Sequence, residues 1–118
     1  MTETVKVEPV KGTGLAEDKD AARQLRTRRI LPALKRDEEV VLDFSDVRLA
    51  TQSYIHALIS EAVRRYGDHA LELLRFERCT EDVKQVILAV VRYTRAAGAV
   101  SAPVQNREAR ERPLADGT

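Results

Sequence analysis

Fifteen residues constrain this chain more than any others: Val40-Val41-Leu42-Asp43-Phe44-Ser45-Asp46-Val47-Arg48-Leu49-Ala50-Thr51-Gln52-Ser53-Tyr54. Val40 to Phe44 is rich in β-branched and aromatic side chains and does not alternate, so it reads as a strand covered on both faces. Thr51, Gln52 and Ser53 then open a helix, in which Ile55, Leu58, Ile59, Ala62, Val63 and Tyr66 recur at the spacing of one buried stripe. The pattern places small polar side chains at a strand-to-helix switch, where α/β domains commonly keep their binding surface.

The rest of the chain supplies partners for that unit. Val5 and Val7 alternate with Lys6 and Glu8 over Thr4 to Val10, and Pro9 confines this strand to an edge. Lys11-Gly12-Thr13-Gly14 is a turn, with Gly12 and Gly14 only a fragment of a phosphate-binding loop. Ala16 to Leu34 reads as a helix capped by Asp18 and broken near Leu31, because Pro32 lacks an amide proton. Its Arg23, Arg26, Arg28 and Arg29 form a cationic band. That band is either a solvated face or an anion-binding patch, with Arg26 and Arg29 the candidates for the latter.

Gly67 fits the end of the central helix, and Leu71 to Phe76 reads as a further strand. Thr80 caps a last helix that carries apolar residues on more than one face and is expected to end at Gly98. Residues 1–100 are therefore expected to form one α/β domain: a small, mostly parallel sheet of about four strands with three main helices. Residues 101–118, with Pro103 and Pro113, are expected to be a flexible tail.

Composition narrows the functional classes. The charged residues of this 118-residue chain nearly cancel, leaving a net charge of +1, so there is no bulk attraction to nucleic acid or an anionic membrane. Three tyrosines, two phenylalanines and no tryptophan leave few platforms for base stacking. No apolar run is long enough for a membrane span, and a lone Cys79 suits a reducing compartment, so a cytoplasmic location is expected. Two histidines and one cysteine do not make a metal site, and no cofactor is expected. Neither His56 nor His69 lies in a nucleophile motif, so no enzyme is expected. Ser53 has two readings. It is a helix-starting residue, or a phosphoacceptor whose phosphate would meet first-turn amides and the positive end of the helix dipole.

The order Leu25-Arg26, Ile30-Leu31-Pro32, Val41-Leu42-Asp43-Phe44-Ser45-Asp46-Val47, Ser53-Tyr54 and Tyr66-Gly67 resembles a STAS-like domain. It is similar to the domains of sulfate transporters and anti-sigma factor antagonists, and in particular to a STAS-like family of uncharacterised bacterial proteins. The resemblance implies a regulatory protein-binding module. Antagonist members bind a kinase-like anti-sigma factor and are switched by phosphorylation of a serine at the start of the helix after this strand, a position that Ser53 occupies. This chain has Thr51-Gln52-Ser53-Tyr54 where those members carry Asp-Ser-Ser-Gly. The expected contact surface is Thr51, Gln52, Ser53, Tyr54 and His56. Two other readings stay open: a nucleotide or phosphorylated-ligand sensor using Gly12 to Gly14 with Arg26 or Arg29, and a subunit of a homo-oligomer or larger assembly that uses the apolar last helix around Val86.

Overall fold

The computed structural model describes residues 1–101, so the expected tail lies outside the described residues from residue 102 onward. Strands β1 (Thr2–Lys6), β3 (Glu39–Asp43) and β5 (Leu74–Glu77) form a parallel sheet in the order β1-β3-β5. A two-residue pair, β2 (Leu15–Ala16) with β4 (Leu49–Ala50), is also parallel. Around them run α1 (Lys19–Leu25), a π-helical turn (Arg26–Ile30), α2 (Leu31–Lys35), α3 (Gln52–Tyr66), α4 (Asp68–Leu73) and α5 (Glu81–Ser101). The mixed α/β class and the mostly parallel sheet match the expectation.

The predicted strand is the central one, but it is covered on one face only. Register aligns Val5, Leu42 and Phe76. Val5, Val7, Val40, Leu42 and Phe44 are fully buried and join the helices in one core. The alternate positions Thr4, Val41 and Arg75 share the other face, where Val41 is half-buried and Thr4 and Arg75 are exposed. Three successive apolar residues hide this alternation in the sequence, because a short apolar run does not distinguish one covered face from two.

That second face is finished with charge. Lys6 pairs with Asp46 at 2.9 Å, and Arg75 reaches Glu39 at 3.3 Å and Glu77 at 3.7 Å. Asp43, at the strand end, accepts from the Ser45 amide at 2.9 Å and lies 3.6 Å from Arg78. The Ser45 hydrogen bond, with Arg78 and Lys6 behind it, holds this carboxyl below its usual range.

Pro32 does not break its helix. Leu31 keeps helical dihedrals (φ −62°, ψ −42°) and donates its amide to the Arg26 carbonyl, five residues back. The wider π turn accommodates the proline ring and its missing donor, so chain direction is kept through Lys35. Asp18 caps α1 as expected, accepting from Asp20 at 3.0 Å and Ala21 at 3.3 Å.

The first strand runs over Thr2–Lys6 and stops short of the expected Val10, and two later boundaries also differ from expectation. Residues 68–73 are helical, and the strand is limited to Leu74–Glu77. Gly67 sits at φ 59°, ψ −136°, and the helical turn after it buries Ala70 before Leu74 pairs with Val40. Leu71 and Leu73 fit a helix or a strand equally well by pattern, and pairing with β3 decides. The last helix passes through Gly98 to Ser101. Thr80 caps it as expected, accepting from Val83 at 3.1 Å, and its hydroxyl donates to the Arg48 carbonyl at 2.8 Å. One stripe of α5 is buried (Val83, Ile87, Val90), whereas Leu88 remains 45% exposed.

His69, in α4, donates its Nε2 hydrogen to Asp37 at 2.5 Å and lies 3.5 Å from Glu72. The Asp37 hydrogen bond and both carboxylates raise its pKa above the ordinary 6.5. A pKa raised by folding stabilises the fold fully below the unfolded value, and that contribution is lost as pH rises through the folded value. Hence His69→Gln is expected to lower the urea midpoint below about pH 6 and to leave it nearly unchanged above about pH 8. An equal loss at both pH values would show that His69 acts by packing.

Candidate functional site

The switch from β4 to α3 is built by backbone pairing. The amides of Arg48 and Leu49 donate to the Gly14 carbonyl, and the amide of Thr51 donates to Ala16. This short ladder fixes where Thr51 stands. Thr51 is the N-cap of α3, its hydroxyl accepting from the Tyr54 amide at 3.1 Å. Ser53 is thus relieved of capping. Its side chain is exposed in the first turn, where backbone amides have no partner within the helix.

Ser53 lines a groove of about 530 Å³ between α1 and α3. Four cations line it: Lys19 and Arg23 from α1, Arg26 from the π turn and Arg64 from α3. Gln52, His56 and Ser60 continue the α3 wall, and Tyr93 of α5, 65% exposed, also lines it. No carboxylate is among its lining residues. Asp20 pairs with Arg23 at 2.7 Å and Glu61 with Arg64 at 2.9 Å, both from outside the lining. Arg26 donates to the Ala57 carbonyl at 3.4 Å, which bridges the two walls. Lys19 has no ion-pair partner among the described residues. Arg64 stands in the last turn of α3, so the cations that share the groove with its N-terminus are those of the α1 side, and such a setting favours a negatively charged group.

The structure sorts the predicted residues. Gln52, Ser53, His56 and Arg26 share this groove, and Thr51 is half-buried as the cap. Tyr54 is a correction: it is 1% exposed and points into the protein, so it is not a contact residue. Successive helix positions face different directions, and position 54 falls on the buried stripe beside Ile55 and Leu58. Arg29 is a second correction. It bonds to Glu3 and donates to the Thr4 carbonyl at 2.9 Å, away from Arg26.

The Gly12–Gly14 turn also stands apart. Thr13 donates its hydroxyl to Val10 at 2.7 Å and accepts from the Leu15 amide at 3.0 Å, so the turn closes on itself. Both glycines have positive φ, and a Cβ on Gly14 would lie 2.9 Å from the Arg48 side chain. Neither Arg26 nor Arg29 bonds to this turn. Burial pushes the Cys79 thiol up, away from the reactive thiolate.

Sequence reasoning missed Lys19, Arg64 and Tyr93. The first was legible, since 19, 23 and 26 are one helix face by the i, i+4, i+7 rule. Arg64 lies on the same α3 stripe as Ser53, His56 and Ser60, whereas Tyr93 comes from a distant segment and gives no local signal.

A family model described as a STAS-like domain of unknown function matches residues 21–84, more than half of the chain. The chain belongs to this family. The matched span of the STAS-like domain contains β3, α3 and three of the four groove cations, Arg23, Arg26 and Arg64; Lys19 and Tyr93 fall outside it. No curated protein and no solved structure matches the chain. Among the described residues, no helix is long and apolar enough to cross a membrane.

Proposed function

We propose that this STAS-like domain is a non-catalytic regulatory module that binds a protein partner through the groove at the start of α3, with phosphorylation of Ser53 as its switch. One observation carries the reading: an exposed serine in a helical first turn lines a groove with four cations and no carboxylate. Charge complementarity selects a partner that presents an acidic segment. A phosphate on Ser53 would bring close to two negative charges into this cationic groove, meet the first-turn amides, and repel that segment.

The test is a pull-down from the native host with wild-type, Ser53→Ala and Ser53→Asp proteins. Wild-type and Ser53→Ala are expected to recover the same partner and Ser53→Asp to lose it. Equal recovery by all three removes the switch, and recovery of no partner by any removes the docking function. A second reading, a sensor of phosphorylated small molecules, rests on the same four cations, now without the Gly12–Gly14 turn. Adding ATP or inorganic phosphate to the same proteins separates the two, since a ligand held only by the native state raises the unfolding midpoint with concentration.

A further inference from the structure

A further cavity, of about 640 Å³, adjoins the Ser53 groove. Leu31, Pro32 and Lys35 of α2 line it on one side, and Glu61, Arg65 and Tyr66 of α3 on the other. Arg26 lines both cavities. On α3 the two meet, since Ser60 and Arg64 line the first and Glu61 and Arg65 the second.

Arg26 stands at the junction. Its guanidinium donates to the Ala57 carbonyl at 3.4 Å and has no ion-pair partner among the described residues. A guanidinium carries five N–H donors, so most of them remain for a ligand there. Lys19 at one end and Lys35 at the other, both exposed, likewise have no ion-pair partner among the described residues. Glu61 is the one carboxylate lining the further cavity, and Arg64 at 2.9 Å and Arg65 at 2.8 Å already engage it. Leu31, Pro32 and Tyr66, all half-buried, add an apolar surface at the Lys35 end.

The dimensions select the form of an occupant. From Ser53 to Tyr66 the α3 wall runs about 20 Å, the length of about six residues of extended chain. Arg26 crosses from one wall to the other with its own side chain, so the groove is narrow there. A helix with its side chains is about 10–12 Å across and does not enter such a groove, whereas an extended chain does.

We propose that the two cavities act as one channel for an extended acidic peptide segment of the partner. Its carboxylates pair with Lys19, Arg23 and Arg26, a bulky apolar side chain covers Leu31, Pro32 and Tyr66, and a last carboxylate reaches Lys35. The proposal rests on the docking function assigned to the Ser53 groove and adds what the partner must present.

The test measures fluorescence anisotropy of a labelled octapeptide, Asp-Glu-Glu-Asp-Ser-Phe-Glu-Asp, and of its reversed sequence, with the full chain. The tighter of the two is expected to bind about tenfold more weakly when its phenylalanine is replaced by alanine, because the apolar contact is lost. Lys19→Glu and Lys35→Glu are each expected to weaken it about tenfold or more, with unfolding midpoints nearly unchanged at these exposed positions. An unchanged affinity for Lys35→Glu or for the alanine peptide overturns the joined channel; if Lys19→Glu still weakens binding, the Ser53 groove stands as the docking site. No binding of either peptide overturns both. Equal binding of a single-stranded oligodeoxynucleotide of the same net charge also overturns the proposal, because the channel would then read charge alone.

Discussion

Phe44→Ala is expected to lower the stability of this domain by about 3–5 kcal/mol. Phe44 is fully buried at the end of the central strand, its ring tilted 40° to that of Phe76 with centroids 6.5 Å apart. Its amide donates to Glu77 at 2.9 Å, and its carbonyl accepts from Val47 at 2.9 Å, so the backbone is held and does not collapse into the space left by the ring. The loss then includes both the transfer of the ring and the cavity that remains. Against a total stability of about 5–15 kcal/mol for a domain of this kind, it is a large fraction. Urea unfolding followed by far-UV circular dichroism measures it. A loss below about 1 kcal/mol would mean that the ring is not enclosed as described.

Ala62→Asp is expected to unfold the domain or leave it with a barely cooperative transition. Ala62 lies on the stripe of α3 that also buries Leu58, Ile59 and Val63, and it is fully inaccessible. A carboxylate there has no cation among the buried residues. Its desolvation costs several kcal/mol whether the group stays charged or takes a proton. The contrast is Arg65→Ala, three residues on. Arg65 forms an exposed pair with Glu61 at 2.8 Å, and its removal should cost less than about 1 kcal/mol. If thermal unfolding of Ala62→Asp matched that of Arg65→Ala, α3 would not be the buried centre of the fold, and the placement of Ser53 would fail with it.

These two residues also mark what was readable in advance. The stripe of α3 is periodic over four turns, long enough for spacing alone to assign the helix and its buried face. The caps Asp18 and Thr80 were readable too, because a short side chain bonds to amides two or three residues away. Where the answer lay with distant segments, local pattern failed. Val41 gave no sign that its face of the sheet carries Thr4 and Arg75, and Leu71 gave none that β5 begins only at Leu74. Pro32 was read by the rule for an ordinary helix, and the π turn before it satisfies a different one.

The candidate site divides in the same way. Ser53, Gln52, His56 and Arg26 were named from their positions in the chain, and all line the groove. Arg29 was grouped with Arg26 by closeness in sequence, but Glu3 and the Thr4 carbonyl hold its guanidinium, whereas that of Arg26 reaches the Ala57 carbonyl. Tyr54 was grouped with Ser53 for the same reason and turns into the core. The sequence by itself determined the central strand, the α3 helix and the serine at their junction, because these depend on interactions spanning a few residues. Only the tertiary structure decided which face of the sheet is covered and which cations surround that serine. Those outcomes depend on where α1 and α5 pack against α3, and packing between segments far apart in the chain leaves no periodic trace in any one of them.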